Sequence, residues 1–211
     1  MRIIAIDGPA GAGKSTVARA LAARLGLEYL DTGAMYRAVT FAAMRHGIDT
    51  ANLERVAELA REVNLEVGEH GVLVDGIDAT TEIRSREVTM AVSAVAANSA
   101  VRAELVQRQR AWANERGGGV LEGRDIGSVV FPNAELKLYL TASPRVRAER
   151  RVAESGGDVE EIAAAIERRD HHDISRSDGP LVEADGSIVL DTTGLSIEAV
   201  LERIEQLMER E

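Results

Sequence analysis

The stretch that decides the fold is Gly8-Pro9-Ala10-Gly11-Ala12-Gly13-Lys14-Ser15, which fits the pattern G-x-x-x-x-G-K-[ST]. The apolar run from Arg2 to Ile6 precedes it, and a helical pattern from Ser15 to Leu25 follows it and ends at Gly26. Glycines let backbone N–H groups converge on a phosphate, and the following helix directs its positive N-terminal end at the same anion. The order of strand, glycine loop and helix therefore predicts a phosphate-binding loop at the start of an α/β sheet.

The residues of this loop have predicted roles. Lys14 is expected to reach the β- and γ-phosphates of ATP, and the Ser15 hydroxyl to ligate Mg²⁺. The predicted cofactors are therefore ATP and Mg²⁺. The residues expected to contact ATP are Gly8, Pro9, Ala10, Gly11, Ala12, Gly13, Lys14, Ser15 and Thr16. The loop alone does not distinguish a kinase, an ATPase and a GTPase, although the N-K-x-D motif typical of GTPases is absent from the sequence.

The remainder of the chain alternates strand and helix patterns around this loop. Such alternation favours a parallel sheet with helices on both faces, here of five strands. Ligands of such sheets bind at the carboxyl ends of the strands. Further strands are predicted at 27–30, 119–122, 135–141 and 187–191, and helices at about 34–44 and 197–210.

The middle of the chain has a different pattern. Apolar and polar residues alternate at 63–67 and 71–75, which predicts an antiparallel hairpin. We therefore interpret 49–110 as an insert into the α/β chain. Its helices are predicted at about 53–61 and 87–115, and the P-loop core is formed by 1–48 and 111–211.

Composition limits the classes of function. The net charge of −10 argues against a nucleic-acid surface, which needs a positive footprint. There is no cysteine, which excludes disulfides and thiolate zinc sites, and no apolar run of 20 residues, so we expect no membrane span. The opening MRIIAIDG does not resemble a signal peptide. We expect a cytoplasmic monomer whose partners are small molecules.

Three further motifs narrow the substrate. They are Asp31-Thr32-Gly33-Ala34-Met35-Tyr36-Arg37, Leu121-Glu122-Gly123-Arg124-Asp125-Ile126-Gly127 and Arg168-Arg169-Asp170-His171-His172-Asp173-Ile174-Ser175-Arg176. With Ser93-Ala94-Val95-Ala96-Ala97 and Val101-Arg102, they resemble the bacterial cytidylate kinases, a family of P-loop nucleoside monophosphate kinases. The resemblance runs from residue 1 to the C-terminal helix. It implies transfer of the γ-phosphoryl group of ATP to CMP, and to dCMP as well. It also implies that the insert at 49–110 binds the nucleoside monophosphate and that a short lid lies at about 144–157.

The resemblance also implies residue roles. The nucleotide's phosphate would be held by Thr32, Arg37, Arg124 and Arg176, the cytosine ring read by Ser93, Arg102 and Asp125, and the ribose contacted by Arg169 and Asp173. Serine is common in the family where Thr32 stands, and the hydroxyl is retained. The residues expected to carry catalysis are Lys14, Arg124 and Arg150. Arg147, Arg150 and Arg151 share one helical face, which in the family belongs to a lid over the ATP phosphates.

Each role has a structural alternative. Asp125 would serve equally as a turn residue that accepts nearby backbone N–H groups. Arg169 and Asp173 lie four residues apart and would fit a surface ion pair on a helix. Ser93 would fit as packing in an alanine-rich helix, and the arginines of the lid as a solvated charged face.

Two other functions remain open from the sequence. A kinase of another small acceptor, such as AMP, UMP or a non-nucleotide acid, would keep the phosphate loop, and a panel of acceptors distinguishes it. A regulatory module that binds nucleotide without turnover is the second, and the intact Lys14, Ser15 and Arg124 disfavour it.

Overall fold

The structure is a computed structural model, which describes residues 1–68 and 71–208. The chain divides into two compact units: residues 1–29 with 117–211, which we call the core unit, and residues 30–116, the insert unit. The insert predicted at 49–110 falls within the insert unit.

The elements follow one another in an α/β order. They are β1 (Arg2–Asp7), α1 (Lys14–Leu25), β2 (Tyr29–Asp31), α2 (Thr32–Arg45), α3 (Leu53–Glu62), β3 (Leu65–Gly68), β4 (Gly71–Val74), β5 (Ile77–Asp78), a 3₁₀ turn (Glu82–Arg84), α4 (Arg86–Ala97), α5 (Ser99–Glu115), β6 (Gly118–Gly123), a π-helical turn (Ile126–Val130), β7 (Leu136–Thr141), α6 (Pro144–Ser155), α7 (Val159–Ser175), β8 (Ile188–Asp191) and α8 (Ile197–Met208).

The main sheet has five strands in the order β2-β6-β1-β7-β8. The central strand β1 pairs in parallel with β6 on one side and with β7 on the other, and β7 pairs in parallel with β8. The predicted five-stranded parallel sheet is therefore confirmed. Its order brings the loops that follow β1, β6, β7 and β8 to one edge, because the carboxyl ends of parallel strands point the same way.

The buried residues of the core unit explain why β1 and α1 could be predicted from the sequence. Residues 3–6 of β1 are all buried, as expected of a strand covered on both faces. On α1, Val17 and Leu21 lie four apart and therefore on one face, and both are buried in the cluster that includes Leu201 and Ile204 of α8. Gly26 ends α1 in the left-handed conformation, with φ of 64°.

The insert unit contains the predicted hairpin. Strands β3 and β4 pair antiparallel, with Leu65 opposite Val74, and β5 adds a third strand that was not predicted. Asp75 and Gly76 join β4 to β5, and both have positive φ, of 50° and 76°. This is the preferred geometry of a two-residue hairpin turn. Residues 69 and 70, between β3 and β4, lie outside the described residues.

The single helix predicted at 87–115 is wrong, because the chain forms two helices separated at Asn98. The Asn98 side chain accepts hydrogen bonds from the N–H groups of Ala100 (3.1 Å) and Val101 (3.4 Å), and so caps α5. Its Nδ2 also donates to the carbonyl oxygen of Leu53 at 2.7 Å. A capping asparagine that makes its own local hydrogen bonds replaces the continuous helical ladder at this point.

Two smaller points complete the fold. Helix α8 is described from Ile197 to Met208, and residues 209–210 of the predicted last helix lie outside the described residues. In the segments that the structure describes, no helix is long and apolar enough to cross a membrane.

Candidate functional site

The phosphate loop lies between β1 and α1. Gly8 allows this loop to approach β7 closely. Gly8 has φ of 145°, and a Cβ there would lie 2.0 Å from the carbonyl oxygen of Leu140. The loop can follow β7 at this distance only because residue 8 has no side chain. Helix α1 begins at Lys14, so its unpaired N-terminal N–H groups belong to the predicted ATP-binding residues.

Lys14 is buried, and its ammonium group stays within the loop. Its Nζ donates a hydrogen bond of 2.8 Å to the carbonyl oxygen of Pro9. Burial, with the positive charges of Arg124 and Arg169, lowers the pKa of Lys14 to about 7, although Glu122 opposes the shift. An anion bound here would raise that pKa again by stabilising the charged form. The loop therefore holds a cation whose charge favours phosphate binding.

A cluster of arginines around Asp173 lies in the same unit. Nε of Arg124, just after β6, donates 2.8 Å to Oδ2 of Asp173 on α7, and Nη1 of Arg176 lies 3.9 Å from Oδ1. Burial by itself would raise the pKa of Asp173, but the charges of Arg124, Arg169 and Arg176 hold it below the ordinary value of 3.8. Arg124 and Arg169 also interact with Lys14, so these predicted substrate residues and the loop lysine form one charged group.

Asp7, which the sequence reading did not single out, supports the turn after β6. Its two carboxylate oxygens accept hydrogen bonds from the N–H groups of Ile126 (2.8 Å) and Gly127 (2.7 Å). Burial, with a smaller contribution from the charge of Asp125, raises the pKa of Asp7 to about 6, although the two N–H donors and Lys14 oppose the shift. The sequence did contain a signal that could have identified Asp7, because it is a charged residue at the end of an apolar strand, directly before the loop.

Asp125 directly precedes the π-helical turn, as its N-cap residue, and is 6% exposed. Its side chain does not cap the turn; instead its backbone oxygen accepts from the N–H groups of Val129 (2.9 Å) and Val130 (3.2 Å). The π-helical geometry turns the chain directly after Arg124 and Asp125, which places both residues at the end of β6.

Oxygen ligands for a magnesium ion are present near the loop. Ser15 is the second residue of α1, and Glu122 of β6 is buried and accepts a short hydrogen bond from the hydroxyl of Tyr29. Mg²⁺ commonly takes one or two protein oxygens together with substrate phosphates and water. This donor set fits that pattern. Within residues 1–68 and 71–208, no group of three or more histidines and carboxylates forms a metal site.

Helix α6 contacts the phosphate loop through two of its arginines. Arg150 donates from Nη1 to the hydroxyl of Thr192 and from Nη2 to its carbonyl oxygen, both at 2.9 Å. A Cβ on Gly13 would come within 3.4 Å of Nη1 of Arg150. Arg147 is buried and forms an ion pair with Asp170 of α7. The arginines predicted to share one face therefore have different surroundings.

In the insert unit, Arg37 and Arg102 are both buried. Arg37 of α2 donates from Nη1 to the carbonyl oxygen of Ile83 (3.0 Å) and to the hydroxyl of Thr89 (2.8 Å). Arg102 of α5 donates to the hydroxyl of Tyr36 at 3.4 Å and lies 5.8 Å from the centre of its ring. Buried guanidinium groups fixed in this way are pre-organised for a small anionic ligand.

The other two predicted residues of the insert unit are Thr32 and Ser93. Thr32 is the first residue of α2 and is buried. Asp31 caps the N-terminal end of this helix, since its side chain accepts a 2.9 Å hydrogen bond from the N–H of Ala34. Ser93 is half-buried on α4. Arg84 anchors the cap, since its Nη2 donates 3.0 Å to Asp31. The predicted substrate residues are thus divided between the two units.

Comparison with known proteins finds matches along nearly the whole chain. A family model described as cytidylate kinase matches residues 4–210. A cytidylate kinase of Mycobacterium leprae (strain Br4923) is 45% identical over 213 residues, covering 99% of this chain and 96% of that protein. A bifunctional pantoate ligase/cytidylate kinase of Synechococcus sp. (strain CC9605) is 48% identical over 213 residues, and the chain spans 44% of that longer protein.

Solved structures show the same fold at low sequence identity. Shikimate kinase from Acinetobacter baumannii matches 100% of this chain and 94% of that chain with a TM-score of 0.53 and 15% identity. At this identity the likeness concerns the fold alone.

Proposed function

The chain belongs to the cytidylate kinase family, and we propose that it uses the charged group described above to transfer the γ-phosphoryl group of ATP to CMP, with dCMP as a second acceptor. The products are ADP and CDP or dCDP. The observation that carries the proposal is the position of Lys14, in the phosphate loop, beside Arg124 and Arg169. Two anions must be brought together in this reaction, and the arginines that converge around Asp173, in an otherwise acidic protein, favour that encounter.

On the ATP side, the phosphate loop binds the nucleotide through its N–H groups and Lys14. The Ser15 hydroxyl and Glu122 provide oxygens for Mg²⁺, which offsets phosphate charge when it is bound. Ala10 is one of the nine loop residues proposed for ATP. Its N–H group donates to Asp170 at 3.2 Å and is therefore already bound within the protein.

On the acceptor side, the proposed contacts follow the chemistry of CMP. Arg124 and Arg176, with Arg37 and Thr32 of the insert unit, bind its phosphate through guanidinium and hydroxyl groups. Ser93, Arg102 and Asp125 read cytosine, and Arg169 and Asp173 contact the ribose. Asp125 is suited to the exocyclic amine of cytosine because a buried carboxylate accepts hydrogen bonds. Uracil, which presents a carbonyl there, would leave that carboxylate facing an acceptor.

The chemical step needs positioning and charge more than a base. The acceptor oxygen already belongs to a phosphate anion, so no strong base must remove a proton from it. Lys14, Arg124 and Arg150 neutralise charge on the phosphoryl group as it moves between the two nucleotides. Exclusion of water would protect ATP from hydrolysis during the step.

The test is ADP release from Mg·ATP with CMP, dCMP, UMP and AMP, each supplied separately. Turnover led by CMP and dCMP is the expected result. Turnover led by AMP or UMP would keep the phosphate loop and refute the cytosine contacts. Binding of ATP without turnover of any acceptor would favour a regulatory module, and Lys14→Met would then abolish binding without changing a rate.

A further inference from the structure

The inference concerns the backbone N–H and carbonyl groups of Ala10, in the first half of the phosphate loop. Its N–H donates to Oδ1 of Asp170 at 3.2 Å, and its carbonyl oxygen accepts from Nη1 of Arg147 at 3.0 Å. The same Arg147 nitrogen donates a short hydrogen bond to Oδ2 of Asp170. Both backbone polar groups of one loop residue are therefore bound by a single ion pair, which joins α6 to α7.

The ion pair is shielded from solvent. Arg147 and Asp170 are each 8% exposed, and 23 residues separate them in sequence. A buried pair of this kind is a poor contributor to net stability, because desolvation of the charges offsets much of their attraction. What it offers is a defined geometry for the groups it contacts. Here those groups belong to the loop that we propose binds ATP.

Two further contacts hold the loop against the same helices. The methyl group of Ala10 packs in a small apolar cluster with Ala148 of α6 and Ile166 of α7. The next residue, Gly11, has φ of 76°, and a Cβ there would lie 2.8 Å from the carbonyl oxygen of Arg147. The loop therefore meets the backbone of α6 directly, and Ala10 is bound through its N–H, its carbonyl and its side chain.

The ion pair also determines where α6 presents its next arginine. Arg150 lies one turn after Arg147, beside Gly13 at the other end of the loop, and is held there by Thr192. An α6 anchored at Ala10 therefore places Arg150 next to the residues at the start of α1. Release of that anchor would move both the loop and Arg150.

We propose that Arg147 and Asp170 are positioning residues for phosphoryl transfer. They fix the Ala10 peptide so that the loop keeps its ATP-binding conformation and Arg150 keeps its place beside Gly13. The pair acts through the loop, and neither side chain needs to touch a nucleotide. This inference rests on the proposed function, because it assumes that the loop binds ATP.

The direct test is Asp170→Asn, which keeps the size of the side chain and removes its charge. We expect ATP affinity, measured by calorimetry without an acceptor, to fall about tenfold, since a charged hydrogen-bonding partner of the loop is lost. The KM for CMP should change less than twofold. The control is Arg145→Gln, which breaks the exposed pair with Glu149 on the same helix and should leave both values unchanged.

A second variant covers the case in which Asp170→Asn does not fold. Arg147→Met with Asp170→Leu replaces the buried pair by apolar groups, an exchange that often preserves stability. The folded double variant should still show the loss of ATP affinity. An unchanged ATP affinity in either folded variant would overturn the proposal, as would a loss confined to CMP.

The unmodified protein supplies a measurement that needs no substitution. The amide of Ala10 should exchange with deuterium slowly in the absence of ATP, because its hydrogen bond to Asp170 does not depend on ligand. Fast exchange would overturn the proposal. A parent protein that binds ATP and phosphorylates no acceptor would refute the proposed function alone, since the calorimetric comparison remains valid.

Discussion

Nε of Arg124 donates a 2.8 Å hydrogen bond to Oδ2 of Asp173, and 49 residues separate the two in sequence. The contact joins the end of β6 to α7. Both residues were predicted as parts of the acceptor site, one for phosphate and one for ribose. The observed pair keeps the guanidinium oriented without a ligand, so an incoming phosphate meets an arginine whose position is already restricted.

Arg124→Ala should lower kcat by about 10² to 10³, since it removes a charge proposed to stabilise the transferring phosphoryl group. The fold should persist, because Arg169 and Arg176 still offset the charge of Asp173. Steady-state kinetics with CMP and thermal unfolding measure the two effects. Arg2→Ala, which breaks an exposed ion pair with Glu135, is the control. An unchanged rate would remove Arg124 from the site.

Asp125→Ala should narrow the preference for CMP over UMP by about tenfold or more. The carboxylate is buried and does not cap its own turn, so its loss removes a group suited to the cytosine amine. The quantity to compare is kcat/KM for the two nucleotides in the parent and the variant. Asp185→Ala, at an exposed loop position, provides the control. If the ratio stays at its parent value, cytosine is read by other residues.

Asp7 should make stability depend on pH. The pKa of Asp7 is about 6 in the folded protein, compared with the ordinary value of 3.8 in the unfolded chain. Between these two pH values the folded state therefore binds more protons than the unfolded state. Stability from this group therefore falls as pH rises from about 4 to 6 and is constant above that window. Once Asp7 is ionised in the folded protein, its raised pKa lowers the free energy of unfolding by about 2–3 kcal/mol.

Urea unfolding of the parent and Asp7→Asn across pH 4 to 7 measures this effect. The substitution also weakens one of the two hydrogen bonds to the turn, which gives an offset that does not vary with pH. The stability of the parent relative to the variant should decline up to about pH 6. A difference that stays constant across this range would show that Asp7 does not titrate as expected.

Asn98→Ala should destabilise the protein by about 1–2 kcal/mol. The substitution removes the cap of α5 and the hydrogen bond to Leu53, which leaves backbone groups without partners. Asn114→Ala, at an exposed position inside α5, is the matched control and should be neutral or slightly stabilising. Denaturant midpoints provide the comparison, and equal midpoints for parent and Asn98→Ala would contradict the capping role.

Local patterns were sufficient for most of the sheet. Residues 3–6 of β1 are a continuous apolar run, and the repeat of Val17 and Leu21 marks the buried face of α1, so the start of the parallel sheet followed from short-range sequence alone. The division of 87–115 at Asn98 was not evident, because a capping asparagine inside an otherwise helical pattern resembles an ordinary helix residue. The Asp75-Gly76 signal for a hairpin turn was present, but the strand after it has only two residues.

For the site, the sequence by itself established the phosphate loop and the motifs that resemble cytidylate kinases, because both are contiguous or have a regular spacing. Tertiary structure alone decided how the charges are paired. Arg147, whose spacing places it with Arg150, is buried against Asp170 and Ala10, and Asp7 supports a turn about 120 residues away. These contacts join residues distant in sequence, and a buried charge needs a partner that only the folded chain brings beside it.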